Sequence, residues 1–333
     1  MWSGVKCINK RFVRVCSLLL VCSLCTISGT GCGENRLEDA FEADLPGIGI
    51  QTSEESSKIP YFASDLCVTD TDVQDIEADT EDALAACFFN LNEKKVLYAK
   101  NIHERMYPAS TTKIMTALVA LDKGDLDAQT TVSKEAITFS ESGVSTAKLK
   151  EGDVLTLRQL LYALLTVSAN DAANVIAEQI AGSQDAFVEM MNQEAQKIGA
   201  TNTHFVNANG LHSEDHYTTV YDLYLMFNAA MQHEEFLQML QEKEYQASYQ
   251  AADGTTVEAV WSTTNQFTKG DVTVPDGVTA VGGKTGTTTA AMSCLVQLFE
   301  DAQGEQYVAI ILGCKERGIL YQEMQTFLSN LNN

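Results

Sequence analysis

The sequence predicts an α+β fold: one antiparallel five-stranded sheet flanked by helices, with a mostly helical lobe set into it. Three observations carry this. Strand-like runs lie at both ends of the folded part, residues 83–99 and 277–314; helix-patterned segments fill the middle, residues 109–231; and a helical run, residues 320–331, closes the chain. Strands remote in sequence must then pair, which leaves the helical middle as an insertion.

Order is expected to begin near Asp82. Residues 83–91 and 94–99 form two strand-like runs around the turn Asn92-Glu93, a hairpin signal. Pro108 precedes good helix formers at 109–121, and proline is tolerated only in a helix's first turn, so Ser110 falls at a helix start. Residues 155–165 and 171–181 read as helices separated by the bend Val167-Ser168-Ala169-Asn170, with Gly182 as the stop. Helices follow at 184–198, closed by Gly199, and at 220–231. The pattern turns strand-like at 244–260 around Asp253-Gly254, then gives runs at 277–284, 291–299 and 306–314, the last two joined at Asp301-Ala302-Gln303-Gly304.

The N-terminal part has a different composition. Lys6, Lys10, Arg11 and Arg14 precede an apolar run at 15–27 that ends in Ser28-Gly29-Thr30-Gly31, so residues 1–31 read as a secretory signal. The run is short for a membrane span of about 20 residues. Cys32 follows directly, as in a loose lipoprotein site with Gly29 where leucine is usual; lipidation of Cys32 and plain cleavage nearby both stay open. Either outcome places the protein outside the cytoplasm, with possible anchoring to the outer face of the cytoplasmic membrane.

The net charge of −23 is concentrated: residues 33–82 hold fifteen Asp or Glu against Arg36 and Lys58. Such a run cannot bury a core, so residues 32–81 read as an acidic, disordered linker before a domain at 82–333. The same balance disfavours a nucleic-acid partner. Of the nine cysteines, Cys7, Cys16, Cys22 and Cys25 lie in the signal; Cys67 falls in the linker, and Cys87, Cys294 and Cys314 sit in apolar runs as small hydrophobes. Their spacing specifies neither a disulfide nor a metal site.

Three stretches carry chemistry: Ser110-Thr111-Thr112-Lys113, Ser168-Ala169-Asn170 and Lys284-Thr285-Gly286. Any one is weak; all three in this order match a motif set for acyl transfer through serine. On a helix Ser110 and Lys113 share a face one turn apart, close enough for the amine to take the hydroxyl proton. Lysine can do so only when neutral, so its usual value of about 10.4 must fall. Burial and a positive charge from Lys284 would both lower it. Ser168 could relay a proton toward the leaving amine, and Asn170 could position either substrate or Lys113. Lys284 and Thr285 suit a free carboxylate, Gly286 clears the strand edge for a peptide, and the backbone N–H groups of Ser110 and Thr287 would hold the oxyanion.

These residues resemble the low-molecular-weight serine D-alanyl-D-alanine carboxypeptidases, penicillin-binding proteins of peptidase family S11. The resemblance runs from about Ala83 to the C-terminus. Tyr107-Pro108-Ala109 before the first motif and Ile114-Met115-Thr116 after it fit the family, as do Asp171-Ala172-Ala173, Asn202-Thr203-His204-Phe205-Val206-Asn207, Gly210-Leu211-His212 and His216-Tyr217-Thr218-Thr219. It implies the β-lactamase/penicillin-binding transpeptidase-like fold. It also implies removal of the terminal D-alanine from peptidoglycan stem pentapeptides through an acyl-enzyme, which β-lactams trap. Catalysis would fall to Ser110, Lys113 and Ser168, and substrate contacts to Asn170, Lys284, Thr285, Gly286 and Thr287. No metal or organic cofactor is implied.

Two departures stand out. Only 47 residues follow Gly286, too few for the β-rich second domain and C-terminal membrane helix of many relatives, so attachment is expected at the N-terminus. Ala291-Met292 stands where the family often has Ala-Gly. A β-lactamase would need a carboxylate to activate water, and no Glu with Asn four residues on follows Asn170. A non-catalytic penicilloyl or muropeptide sensor would not need the full proton path. His212 and His216 lack a third metal ligand; His216 and Tyr217 are expected to start the helix at Val220. Arg317, after the last strand, could assist a substrate carboxylate, with a solvated surface arginine the favoured reading.

Overall fold

In the computed structural model, which describes residues 63–331, six antiparallel strands form the main sheet in the order β1-β3-β2-β10-β9-β8. They are β1 (Val73–Gln74), β2 (Ala85–Asn90), β3 (Lys95–Lys100), β8 (Thr279–Thr288), β9 (Met292–Glu300) and β10 (Gln306–Cys314). The central strand β2 is buried along its whole length and pairs with both β3 and β10. Its alternation divides the core. Ala85, Cys87 and Phe89 join the helical lobe's cluster, whereas Ala86 and Phe88 face the last helix, α7 (Arg317–Leu328). Phe88 stacks on Tyr307 and Phe327 at 5.4 and 5.3 Å. Burying such a side chain contributes roughly 1.5–3 kcal/mol.

The lobe holds α1 (Lys113–Lys123), α2 (Leu157–Leu165), α3 (Asn170–Ala181), α4 (Gln184–Lys197), α5 (Val220–Ala230) and α6 (Glu234–Gln241). Thr156 caps α2 through a reciprocal capping box with Gln159. Gly182 ends α3 in the left-handed conformation at φ +79°. A second sheet, β4-β5-β6-β7, flanks the lobe: β4 (Gln129–Thr131), β5 (Val154–Thr156), β6 (Glu244–Gln250) and β7 (Thr256–Ser262). The expected strands at 244–260 belong here. Tyr245, Ala247 and Tyr249 turn one face inward, and Tyr245 stacks on Tyr162 of α2 at 3.8 Å.

Several expectations change. The main sheet has six strands, because Val73 and Gln74 pair with Ala99 and Tyr98 on the edge of β3. The fold therefore begins before Asp82. Cys67 is buried, its N–H donating to the Tyr224 hydroxyl at 2.9 Å, and its carbonyl accepts from the Tyr221 hydroxyl at 3.1 Å. The Asp72 carboxylate accepts from the N–H groups of Asn101 and Ile102 at 2.9 and 3.1 Å. Acidic residues read as tether are thus used locally as backbone acceptors. Residues 1–31, Cys32 and most of the 32–81 segment lie outside the described residues. Cys67, Cys87, Cys294 and Cys314 are free and buried.

Candidate active site

The first motif is wound more tightly than an α-helix. Residues Ala109–Thr112 form a 3₁₀ turn leading into α1, and Ala109 holds φ +48°, a conformation an L-residue adopts only under constraint. The constraint is visible. The buried Thr112 hydroxyl donates to the Ala109 carbonyl at 2.8 Å and lies 2.8 Å from His216 Nε2. His216 Nδ1 accepts from the Val206 N–H at 3.1 Å, so the ring's proton sits on Nε2 and points at Thr112. Burial, followed by the His204 charge, lowers the His216 pKa to about 3 and keeps the ring neutral. Gly210, at φ +83°, passes so close to Ala109 that an added Cβ would stand 2.0 Å from its carbonyl oxygen.

Eclipsed packing in the 3₁₀ turn sets Lys113 Nζ 3.0 Å from Ser110 Oγ. The amine also reaches Asn170 Oδ1 at 2.7 Å and the Asn209 carbonyl. Two fixed acceptors take two N–H bonds, which leaves the remaining direction of a neutral amine, its lone pair, on the serine hydroxyl. Lys113 is wholly buried, and burial first, then the Lys284 charge, push its pKa well below the usual lysine value. Both causes match the sequence expectation. Asn170 meets one of its two expected partners here, Lys113, through Oδ1.

The second motif is strained as well: Ser168 holds φ +59°. Its shape is fixed from the preceding loop. The Asn170 N–H donates to the Ser145 carbonyl at 2.8 Å, and the buried Asp171 carboxylate accepts from Ala147 and Leu149 at 2.9 and 3.1 Å. Ser168 Oγ accepts from Lys284 Nζ at 2.9 Å, so in this state the hydroxyl serves the third motif's lysine. Burial, then the Arg317 charge, lower Lys284 to about 7.

Lys284, Thr285 and Gly286 lie within β8, whose far side is the open edge of the sheet, instead of at its end. Gly286 is needed there, since a Cβ would come within 2.9 Å of Ser110 N and 3.0 Å of Thr111 N. That contact sets the Ser110 turn against the third motif. Thr287 is exposed, and the exposed Arg317 donates from Nη2 to its hydroxyl at 3.4 Å, so the solvated arginine also borders the third motif. Met292 carries φ +56°, a left-handed position that favours glycine, the residue the family resemblance leads one to expect there. Two cavities of about 780 and 840 Å³ adjoin Gln241 and Lys243 and include no motif residue.

Sequence reasoning missed Asn209, which acts through its carbonyl and so leaves no side-chain signature, and Thr264, 2.5 Å from the Thr285 hydroxyl. It also misplaced His216. The helix at Val220 is capped by Thr219, whose side chain accepts from the Asp222 N–H.

A family model described as D-alanyl-D-alanine carboxypeptidase, peptidase S11, matches residues 72–316. The chain belongs to this family. It is 35% identical over 242 residues to D-alanyl-D-alanine carboxypeptidase DacB2 of Mycobacterium tuberculosis, covering 72% of this chain and 78% of that protein. It is 31% identical over 267 residues to DacC of Escherichia coli, covering 77% and 62%. With DacF of Bacillus subtilis the identity is 38% over 156 residues, and the chain spans 40% of that relative's length. The crystal structure of the Streptomyces K15 DD-transpeptidase superposes with a TM-score of 0.70 at 28% identity, covering 76% of this S11 chain and 98% of the other. The penicillin-binding fold read from the sequence is the fold observed.

Proposed function

We propose that this S11 protein is a serine D-alanyl-D-alanine carboxypeptidase. It removes the terminal D-alanine of peptidoglycan stem pentapeptides through an acyl-enzyme on Ser110. The observation that carries the reading is the Lys113 amine, buried, held by two neutral acceptors and aimed at Ser110 Oγ. As the base it takes the serine proton while Oγ attacks the penultimate D-alanine carbonyl. The developing oxyanion meets the N–H groups of Ser110 and Thr287. Lys113 passes that proton on through the Ser168 hydroxyl to the leaving amine and is neutral again, while protonated Lys284, with Ser168 bound to it, and Thr285 receive the terminal carboxylate. Water then loses a proton to neutral Lys113 as it attacks the acyl-enzyme, and Lys113 returns that proton to Ser110 Oγ as the acyl bond breaks. β-Lactams enter the same path and stop at the acyl stage.

The basic and apolar N-terminus and Cys32 support export and lipid anchoring on the outer face of the cytoplasmic membrane, where peptidoglycan lies. No helix among the described residues is long and apolar enough to cross a membrane. Intact-mass measurement after mixing with benzylpenicillin, alongside D-alanine release from a D-Ala-D-Ala peptide, tests the function. A lasting adduct with D-alanine release is expected, and Ser110→Ala should lose both while changing stability by only about 1 kcal/mol, the scale of its hydrogen bond with Lys113. Fast adduct turnover without peptide cleavage would mean a β-lactamase, and an adduct without turnover or cleavage would mean a sensor.

A further inference from the structure

We infer that Thr264 is a positioning residue for the substrate's terminal carboxylate, acting by turning the Thr285 hydroxyl proton toward it. The inference deepens the proposed function and rests on it. Thr264 lies in none of the three motifs, yet its hydroxyl is 2.5 Å from that of Thr285, one of the groups assigned to the carboxylate. Each hydroxyl has one proton to give and lone pairs to receive. If Thr285 donates to Thr264, it presents only lone pairs to the cleft and repels an anion. If Thr264 donates, the Thr285 proton is free to point at the carboxylate, and the two bonds polarise one another along the chain. An anion bound at Thr285 therefore selects the second arrangement.

The backbone around Thr264 makes this a fixed feature. Its N–H donates to the Thr166 carbonyl at 3.1 Å, immediately before the bend that carries Ser168. On one side the Thr263 N–H donates to the Lys243 carbonyl at 2.8 Å; on the other the Asn265 side chain donates to Gln297 of β9 at 2.7 Å. Thr264 thus ties the second motif's segment to the third motif. All of these anchors are independent of its own hydroxyl, so they survive a change of side chain.

The test compares two activated substrates in the full chain: an N-acyl-D-alanyl thioglycolate, whose leaving group ends in a carboxylate, and its methyl ester, which has none. Both acylate Ser110 without needing the anion for reactivity. Thr264→Val is expected to lower kcat/KM on the thioglycolate about tenfold, the scale of a hydrogen bond to a charged group, mainly through KM. The methyl ester should stay within about twofold, and Thr264→Ser should restore the thioglycolate rate. Equal losses on both substrates, or no loss on either, would overturn the role while leaving the carboxypeptidase reading intact. A wild-type chain acylated by neither thioester nor benzylpenicillin would overturn that reading and this inference together.

Discussion

Lys113 and Lys284 are both wholly buried, and both lie below the usual lysine value, but their surroundings differ in kind. Lys113 is surrounded by neutral acceptors and feels Lys284 as its main repelling charge. Lys284 is held by Ser168 and by the Thr285 carbonyl at 2.8 Å, and its repelling neighbour is the exposed Arg317. Burial alone would make two similar amines. The unequal electrostatic neighbours separate them into one that can accept a proton from serine and one that carries charge near pH 7 to meet a carboxylate.

The hardest way to break this division is to remove the base. Lys113→Met should lower the rate of acylation by benzylpenicillin by about 10²–10⁴, the usual share of a positioned base, as measured by stopped-flow. Lys284→Met should cost less on carboxylate-bearing substrates, roughly 10- to 100-fold in kcat/KM. It also sharpens the comparison. Without the neighbouring charge the Lys113 pKa rises, so the acid limb of the kcat/KM profile on a neutral thioester should move to higher pH. In the wild type the thioglycolate profile should fall above about pH 7, where Lys284 loses its proton in the free protein. An unmoved acid limb in the variant would mean that Lys284 does not set the base.

The smallest effect lies outside both lysines. His216 binds a proton in the folded state only below about 3, whereas in the unfolded chain it binds one below 6.5. Between those values the unfolded state holds more protons, so this contribution is present above pH 6.5 and is lost as pH falls toward 3. The slope is about 1.4 kcal/mol per pH unit. Denaturation of His216→Gln between pH 4 and 6 should show a shallower decline than the wild type. Parallel curves would remove the histidine from the account.

Much of this site was legible because its chemistry is written in side chains. The serine and lysine of the first motif and the second lysine carry their chemistry in their side chains, and the glycine at the strand edge stands where a Cβ would come within 2.9 Å of Ser110 N. What the sequence hid acts through backbone or across distance. Asn209 contributes a carbonyl that any residue possesses. His216 looked like part of the next helix start because its partner, Thr112, is 104 positions away. In the fold, the long strands announced themselves by apolar runs, but Val73–Gln74 is two residues inside an acidic stretch whose charge masks its pairing. The left-handed Ala109 and Ser168 carry no local signal at all, since non-glycine residues hold those angles only under tertiary constraint.

The early start of the fold has a mechanical consequence. The segment before Asp82 is fastened at Cys67 to Tyr224 and Tyr221, at Asp72 to the end of β3, and through β1 to the sheet edge. A pull applied at residue 63 meets these fastenings one after another, and β3 lies behind them. Ser110 and Lys284 are on elements beyond that edge, with β8 at the opposite border of the sheet. A load applied there is therefore taken up by residues 63–81 before it can distort the catalytic cleft.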